Sequence, residues 1–262
     1  MKRQVIIFYV LLFAFSAYAQ TDKERSKWAA SILDESKLSS AAEKNRILKF
    51  NFGPLWTRVH DNDSVLGYIG DNYLRLRIVV LSATKNPNQP DTYTVTGKSM
   101  VKNVVRMFTG TMRVTSARVY KHPRLGVDEE YKGKIKKNGG IVGEYHFSEN
   151  RKQTNTGSFD GVFVTYWYAD RNGRLKYDDI EMFADGYRNN QFVGTWTSYR
   201  YKDSKIANWG DYRIPLSGDL DIGAGEFSPD DKYLSNGWQS YRDAYFNNDK
   251  QARQEEKKRW WK

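Results

Sequence analysis

Four times between residues 108 and 196 the chain sets a glycine midway between two large apolar residues: Phe108-Thr109-Gly110-Thr111-Met112, Ile141-Val142-Gly143-Glu144-Tyr145, Phe159-Asp160-Gly161-Val162-Phe163 and Phe192-Val193-Gly194-Thr195-Trp196. The glycines are 33, 18 and 33 residues apart. In a strand successive side chains point to opposite faces, so each glycine shares its face with the bulky residues on either side of it. The missing Cβ relieves crowding and lets the strand bend. Repeated bends of this kind suit a sheet curling toward a barrel. Two copies match further, Gly161 to Asp170 against Gly194 to Asp203, at the glycine, the ring, the hydroxyl, both tyrosines and the acid.

Other segments agree with an all-β core. Leu74, Leu76, Ile78 and Val80 alternate with Arg75 and Arg77, the period-2 signature of a half-buried strand. Pro87 and Pro90 mark a loop over 85–91, and strand chemistry restarts at Thr92. Turn signals follow at Lys137-Asn138-Gly139-Gly140, Arg171-Asn172-Gly173 and Arg188-Asn189-Asn190. No helix-period pattern of any length interrupts this stretch, which argues for an antiparallel meander rather than βαβ units. Before it, Thr21-x-x-Glu24 and Ser40-x-x-Glu43 are capping boxes opening two short helices within 22–49. After it, residues 239–262 return to helix-like, basic composition. The expected fold is an antiparallel meander forming a barrel or strongly curved, calycin-like sheet over 51–238, with an N-terminal helical segment (20–50) and a helical C-terminal tail.

Residues 1–19 carry the three parts of a secretory signal: Lys2 and Arg3, an apolar run from Val5, and the exit Ala17-Tyr18-Ala19. Cleavage after Ala19 would leave 40 Lys+Arg against 31 Asp+Glu, about +9 instead of the formal +11. The expected location is periplasmic or secreted, with no transmembrane segment once the signal is removed. The chain has no cysteine, which excludes Cys-type zinc, iron–sulfur clusters, thiol catalysis and disulfide stapling. Its 8 Trp, 18 Tyr and 13 Phe can bury too much area for a disordered coil.

The stretches Asn189-Asn190-Gln191-Phe192-Val193-Gly194-Thr195-Trp196, Asn208-Trp209-Gly210-Asp211-Tyr212-Arg213-Ile214-Pro215 and Gly218 to Phe227 resemble those of a group of uncharacterised secreted bacterial proteins, over about residues 65–241. More loosely, the Gly-x-Trp strands resemble lipocalin- and avidin-type barrels, and the Gly-x-aromatic hairpins resemble MORN-like repeat sheets. The resemblance implies an antiparallel, curved, aromatic-lined sheet.

Candidate chemistry is sparse. Gly97-Lys98-Ser99 is the tail of a P-loop, but Thr92 stands where the first glycine belongs. No Gly-x-Ser-x-Gly is present, and His60, His122 and His146 read as surface or satisfied histidines. Asp178, Asp179, Glu181 and Asp185 could supply a glycosidase pair, although in a strand Asp179 and Glu181 would be neighbours on one face. Asp219, Asp221 and Asp230 fall at positions 1, 3 and 12 of a calcium-type loop, with Gly223 and Ala224 breaking the pattern. Charge is uneven. Ten Lys+Arg from Lys102 to Lys137 face three acids, and the tail from Lys250 adds six bases and two acids. No nucleic-acid recognition motif accompanies them.

Three readings follow. The first is a secreted, non-enzymatic binding protein holding a small apolar molecule or a glycan on Trp167, Trp196, Tyr199, Tyr201 and Trp209. The second is an envelope structural or interaction protein whose basic region docks an anionic envelope surface. The third is a glycan-acting hydrolase using Asp179 or Glu181 with Asp185.

Overall fold

The computed structural model describes residues 25–32, 38–39, 44–57 and 64–262. The stretch 1–19, expected to be an export signal, and both capping boxes lie outside the described residues. Nine strands follow one another as β1 (Val65–Ile69), β2 (Leu74–Lys85), β3 (Thr92–Val101), β4 (Val104–Val119), β5 (Ile135–Glu149), β6 (Gly157–Asp170), β7 (Leu175–Tyr177), β8 (Asn189–Ser198) and β9 (Ser204–Asp211). All pairings are antiparallel, and β9 returns to pair with β1, Leu66 opposite Gly210. Eight strands thus close into a ring, and the short β7 extends the ladder of β6 beyond the end of β8. The expected all-β, antiparallel, strongly curved sheet is what the chain forms.

Period-2 alternation puts the repeat on the inner face. Phe108, Met112, Ile141, Tyr145, Phe147, Phe159, Phe163 and Phe192 all belong to one buried cluster. The glycines between them make room for rings and backbone from neighbouring strands. A Cβ on Gly143 would stand 2.4 Å from the Phe163 ring, and one on Gly110 would stand 1.9 Å from the His146 carbonyl oxygen. Gly161 and Gly194 are direct cross-strand partners, and the Tyr145 hydroxyl fills the space their side chains would take. Bulges at Val80/Ser82 and Val114/Ser116 add bends.

One end of the ring is plugged. After Asn51 the sequence reads as β, yet Gly53–Trp56 forms a helical turn with proline in its first turn. It drives Phe52 and Trp56 into the core, where Trp56 meets Tyr93 and Phe163 edge-on at centroid distances of 4.8 and 5.5 Å. A buried polar chain pins it there. Trp56 Nε1 donates to Thr165 Oγ1 (2.9 Å), Thr165 Oγ1 donates to Asn190 Oδ1 (2.9 Å), and Asn190 Nδ2 donates to the Leu55 carbonyl (2.9 Å) and to Asp211 Oδ2 (3.0 Å). The Asn189-Asn190 signal is therefore a bulge opening β8, with Asn190 at φ +43°, rather than a turn. Lys137 to Gly140 likewise lies inside β5: a Cβ on Gly139 would stand 2.0 Å from the Arg118 carbonyl oxygen, so close strand approach explains the glycine.

Three covers shield the outside. Helical residues 25–32 pack Ala29 with Val142 and Val164 of β5 and β6. Residues from 212 onward place Ile214, Leu220, Phe227 and Trp238 against Leu66 and Tyr68 of β1. Beyond them two C-terminal helices, Gln239–Tyr245 and Lys250–Glu256, lie over β2. The Arg75 guanidinium forks onto both oxygens of Glu256 at 2.8 and 2.6 Å, and Arg77 adds a third bond at 2.9 Å. The tail is thus a docked element, and Arg75 and Val79 on the outward face of β2 are buried.

Candidate functional site

The turns β1–β2, β3–β4, β5–β6 and β8–β9 gather at the end of the ring opposite the plug. They surround a cup of about 620 Å³, within the range of small-ligand sites. Its apolar wall includes Ile69, Leu74, Val101, Phe159 and Trp196, and its charged groups are Asp71, Lys102, Arg106, Glu149 and Lys205, with Ser99 beside them. Ladder register explains the convergence. Trp196 is paired with Phe159 on one side and Lys205 on the other, so all three project from the same face.

Glu149 organises the floor. Its carboxylate, on a residue only 5% exposed, accepts from Ser99 Oγ (2.7 Å), the Gly157 N–H (2.9 Å) and Trp196 Nε1 (3.1 Å). Three donors on one buried carboxylate fix the indole in place. Arg106 is held by the Val105 and Thr154 carbonyls at 3.1 and 3.0 Å. Lys102 and Lys205 are exposed at the rim. The cup is therefore apolar at its wall, and its edge is mainly cationic, with Lys102, Arg106 and Lys205 against Asp71.

Of the five aromatics read from sequence as ligand contacts, Trp196 alone lines the cup. Trp167 and Trp209 are core: Trp167 lies 5.6 Å from Phe50, and Trp209 stacks on Phe192 at 4.8 Å. Tyr199 and Tyr201 occupy the β8–β9 turn, Tyr199 beneath the Arg151 guanidinium and Tyr201 66% exposed. Sequence reasoning missed Glu149 and took Arg106 only as part of the basic stretch. The signal was there: Glu149 continues the inward period of Tyr145 and Phe147, and Arg106 that of Phe108 and Gly110.

The acidic candidates are dispersed. Asp219 pairs with Lys232 (2.6 Å), Asp221 pairs with Arg213 (2.8 Å), and Asp230 accepts from the Lys232 N–H. Among the described residues no group of three or more His, Asp or Glu is arranged to hold a metal. Residues 178–188 are irregular rather than a strand. Asp178, Glu181 and Asp185 line a cleft of about 250 Å³ there, while Asp179 is exposed and Glu181 is bound by Arg124. Burial pushes the Asp178 carboxyl up to about 6 against the opposing Ile180 N–H and Arg124, with Asp179 and Glu181 adding to the rise. His122 is exposed, and His146 pairs with Asp160 on the outer surface. The basic stretch does not form one patch. β4 spans about 50 Å, with Lys102 and Arg106 at the mouth and Lys121 to Lys137 at the far end.

In comparisons with protein-family models, with curated proteins and with solved structures, nothing matches this chain.

Proposed function

We propose that this chain is an exported, non-enzymatic binding protein that takes a small, largely apolar molecule into the mouth of its strand ring. The observation carrying this reading is the cup of about 620 Å³ walled by Trp196 and Phe159 above a fully bonded Glu149. Ligand sites favour such places, an apolar concavity at a barrel mouth with a few converging polar groups. The cationic edge of Lys102, Arg106 and Lys205 suits a polar or anionic end on the ligand. The plugged opposite end leaves ligand access on one side.

Thermal-shift and tryptophan-fluorescence titrations with alkyl and glycan panels test the proposal. An apolar ligand raises Tm, and Trp196→Ala weakens it at least tenfold, since that indole forms much of the wall. Silence from both panels sinks the binding reading.

A further inference from the structure

Outside the ring, against the rim of the same mouth, lies a second space of about 1020 Å³. Its floor is the outward face of β2 and β3, and its far wall is the C-terminal segment that Glu256 holds to Arg75. Its chemistry differs from that of the cup. Asn72, Asn103 and Ser235 edge it with amide and hydroxyl groups, Lys102, Lys258 and Glu255 add charged ones, Arg75 and Arg77 line the floor, and the half-buried indole of Trp260 forms one side. The indole is held in place: Trp261 meets it edge-on at 5.6 Å, and the Lys98 ammonium donates to the Trp261 carbonyl. Asn72, Leu74 and Lys102 line both spaces, so cup and groove meet across the rim.

A flat aromatic surface beside amide, hydroxyl and charged donors and one carboxylate acceptor suits a sugar, whose ring has an apolar face and whose edge offers hydroxyl donors and acceptors. We propose that the outer groove is a saccharide subsite, and that the ligand is an amphiphile with its apolar part in the cup and a sugar head over the rim on Trp260. This rests on the reading of the cup as a ligand site. It also gives the C-terminal segment a role beyond covering β2.

Calorimetry below the micelle concentration compares dodecyl maltoside, dodecylphosphocholine and free maltose on the full chain. Dodecyl maltoside should bind at least tenfold tighter than dodecylphosphocholine. Trp260→Ala and Asn103→Gly should each erase that advantage while leaving dodecylphosphocholine unchanged, and Trp196→Ala should weaken both detergents. Asn103 sits at φ +62° in an exposed turn, where glycine is tolerated, so this variant keeps the test valid if Trp260→Ala loosens the tail. Equal binding of the two detergents, or wild-type preference in both groove variants, overturns the saccharide subsite and leaves the cup standing. Failure of both detergents to bind overturns the cup reading with it.

Discussion

At the centre of the ring one tyrosine hydroxyl occupies the space of two absent side chains. A Cβ on Gly194 would stand 2.3 Å from the Tyr145 oxygen and 2.3 Å from the Asp160 carbonyl oxygen. Gly194→Ala should therefore cost about 1–3 kcal/mol through overpacking. The same hydroxyl is fully buried with no hydrogen-bond partner among the described residues. Tyr145→Phe removes an unsatisfied group and should raise stability by about 1 kcal/mol. Urea melts of both variants check the two signs. A second residue acts through pH. The folded value for Asp178, about 6, lies above its ordinary 3.8, so the native state holds this proton where the unfolded chain has released it. Its contribution is present below about pH 4 and is lost as pH rises to about 6, at about 3 kcal/mol. Asp178→Asn should be more stable than wild type above pH 6 and should lack this falling component. Parallel stability profiles between pH 4 and 7 would refute it.

The C-terminal helices depend on one carboxylate. Burial raises the Glu256 carboxyl, but Arg75, Arg77 and Ser240 outweigh that and bring it below its usual range. The latch is thus intact above the ordinary carboxylate pKa and weakens as pH falls below it. Glu256→Ala leaves Arg75 and Arg77 without their carboxylate and should cost about 3–5 kcal/mol. Limited proteolysis should then cut first near residue 248. Unchanged stability and an uncut tail would mean that apolar packing alone holds it. Element identities were largely legible: the strand start at Thr92 and the helix beginning at Gln239 stand where local patterns put them, and the loop expected over 85–91 differs only in that Lys85 ends β2. The plug was not legible, because a four-residue helical turn has too little periodicity to announce itself. Gly53–Trp56 forms where Thr165, Asn190 and Tyr93 satisfy it, and those partners lie far along the chain.

Closure of the ring is a property of the whole molecule. Leu66 pairs with Gly210, 144 positions later, and this pairing removes the two edges an open sheet would expose. Amides of β1 and β9 should therefore resist hydrogen exchange as well as those of β4 and β5, and fast exchange at Leu66 or Asn208 would show that the ring opens there. The site follows the same division between local and global. Local alternation identified inward positions and, through Phe192-x-Gly194-x-Trp196, the one indole that lines the cup. It could not tell a core ring from a mouth ring, so Trp167 and Trp209 read like Trp196. By itself the sequence determined an antiparallel, bent, aromatic-faced meander with helical ends, because side-chain period and glycine spacing act over a few residues. Tertiary structure alone decided which end is plugged, which aromatics face the cup, and that Asp221 is taken by Arg213 while Asp219 and Asp230 both turn to Lys232. The plug depends on contacts made across more than a hundred residues, the cup lining on strand register, and the aspartate pairings on the path of an irregular loop, none of which side-chain periodicity encodes.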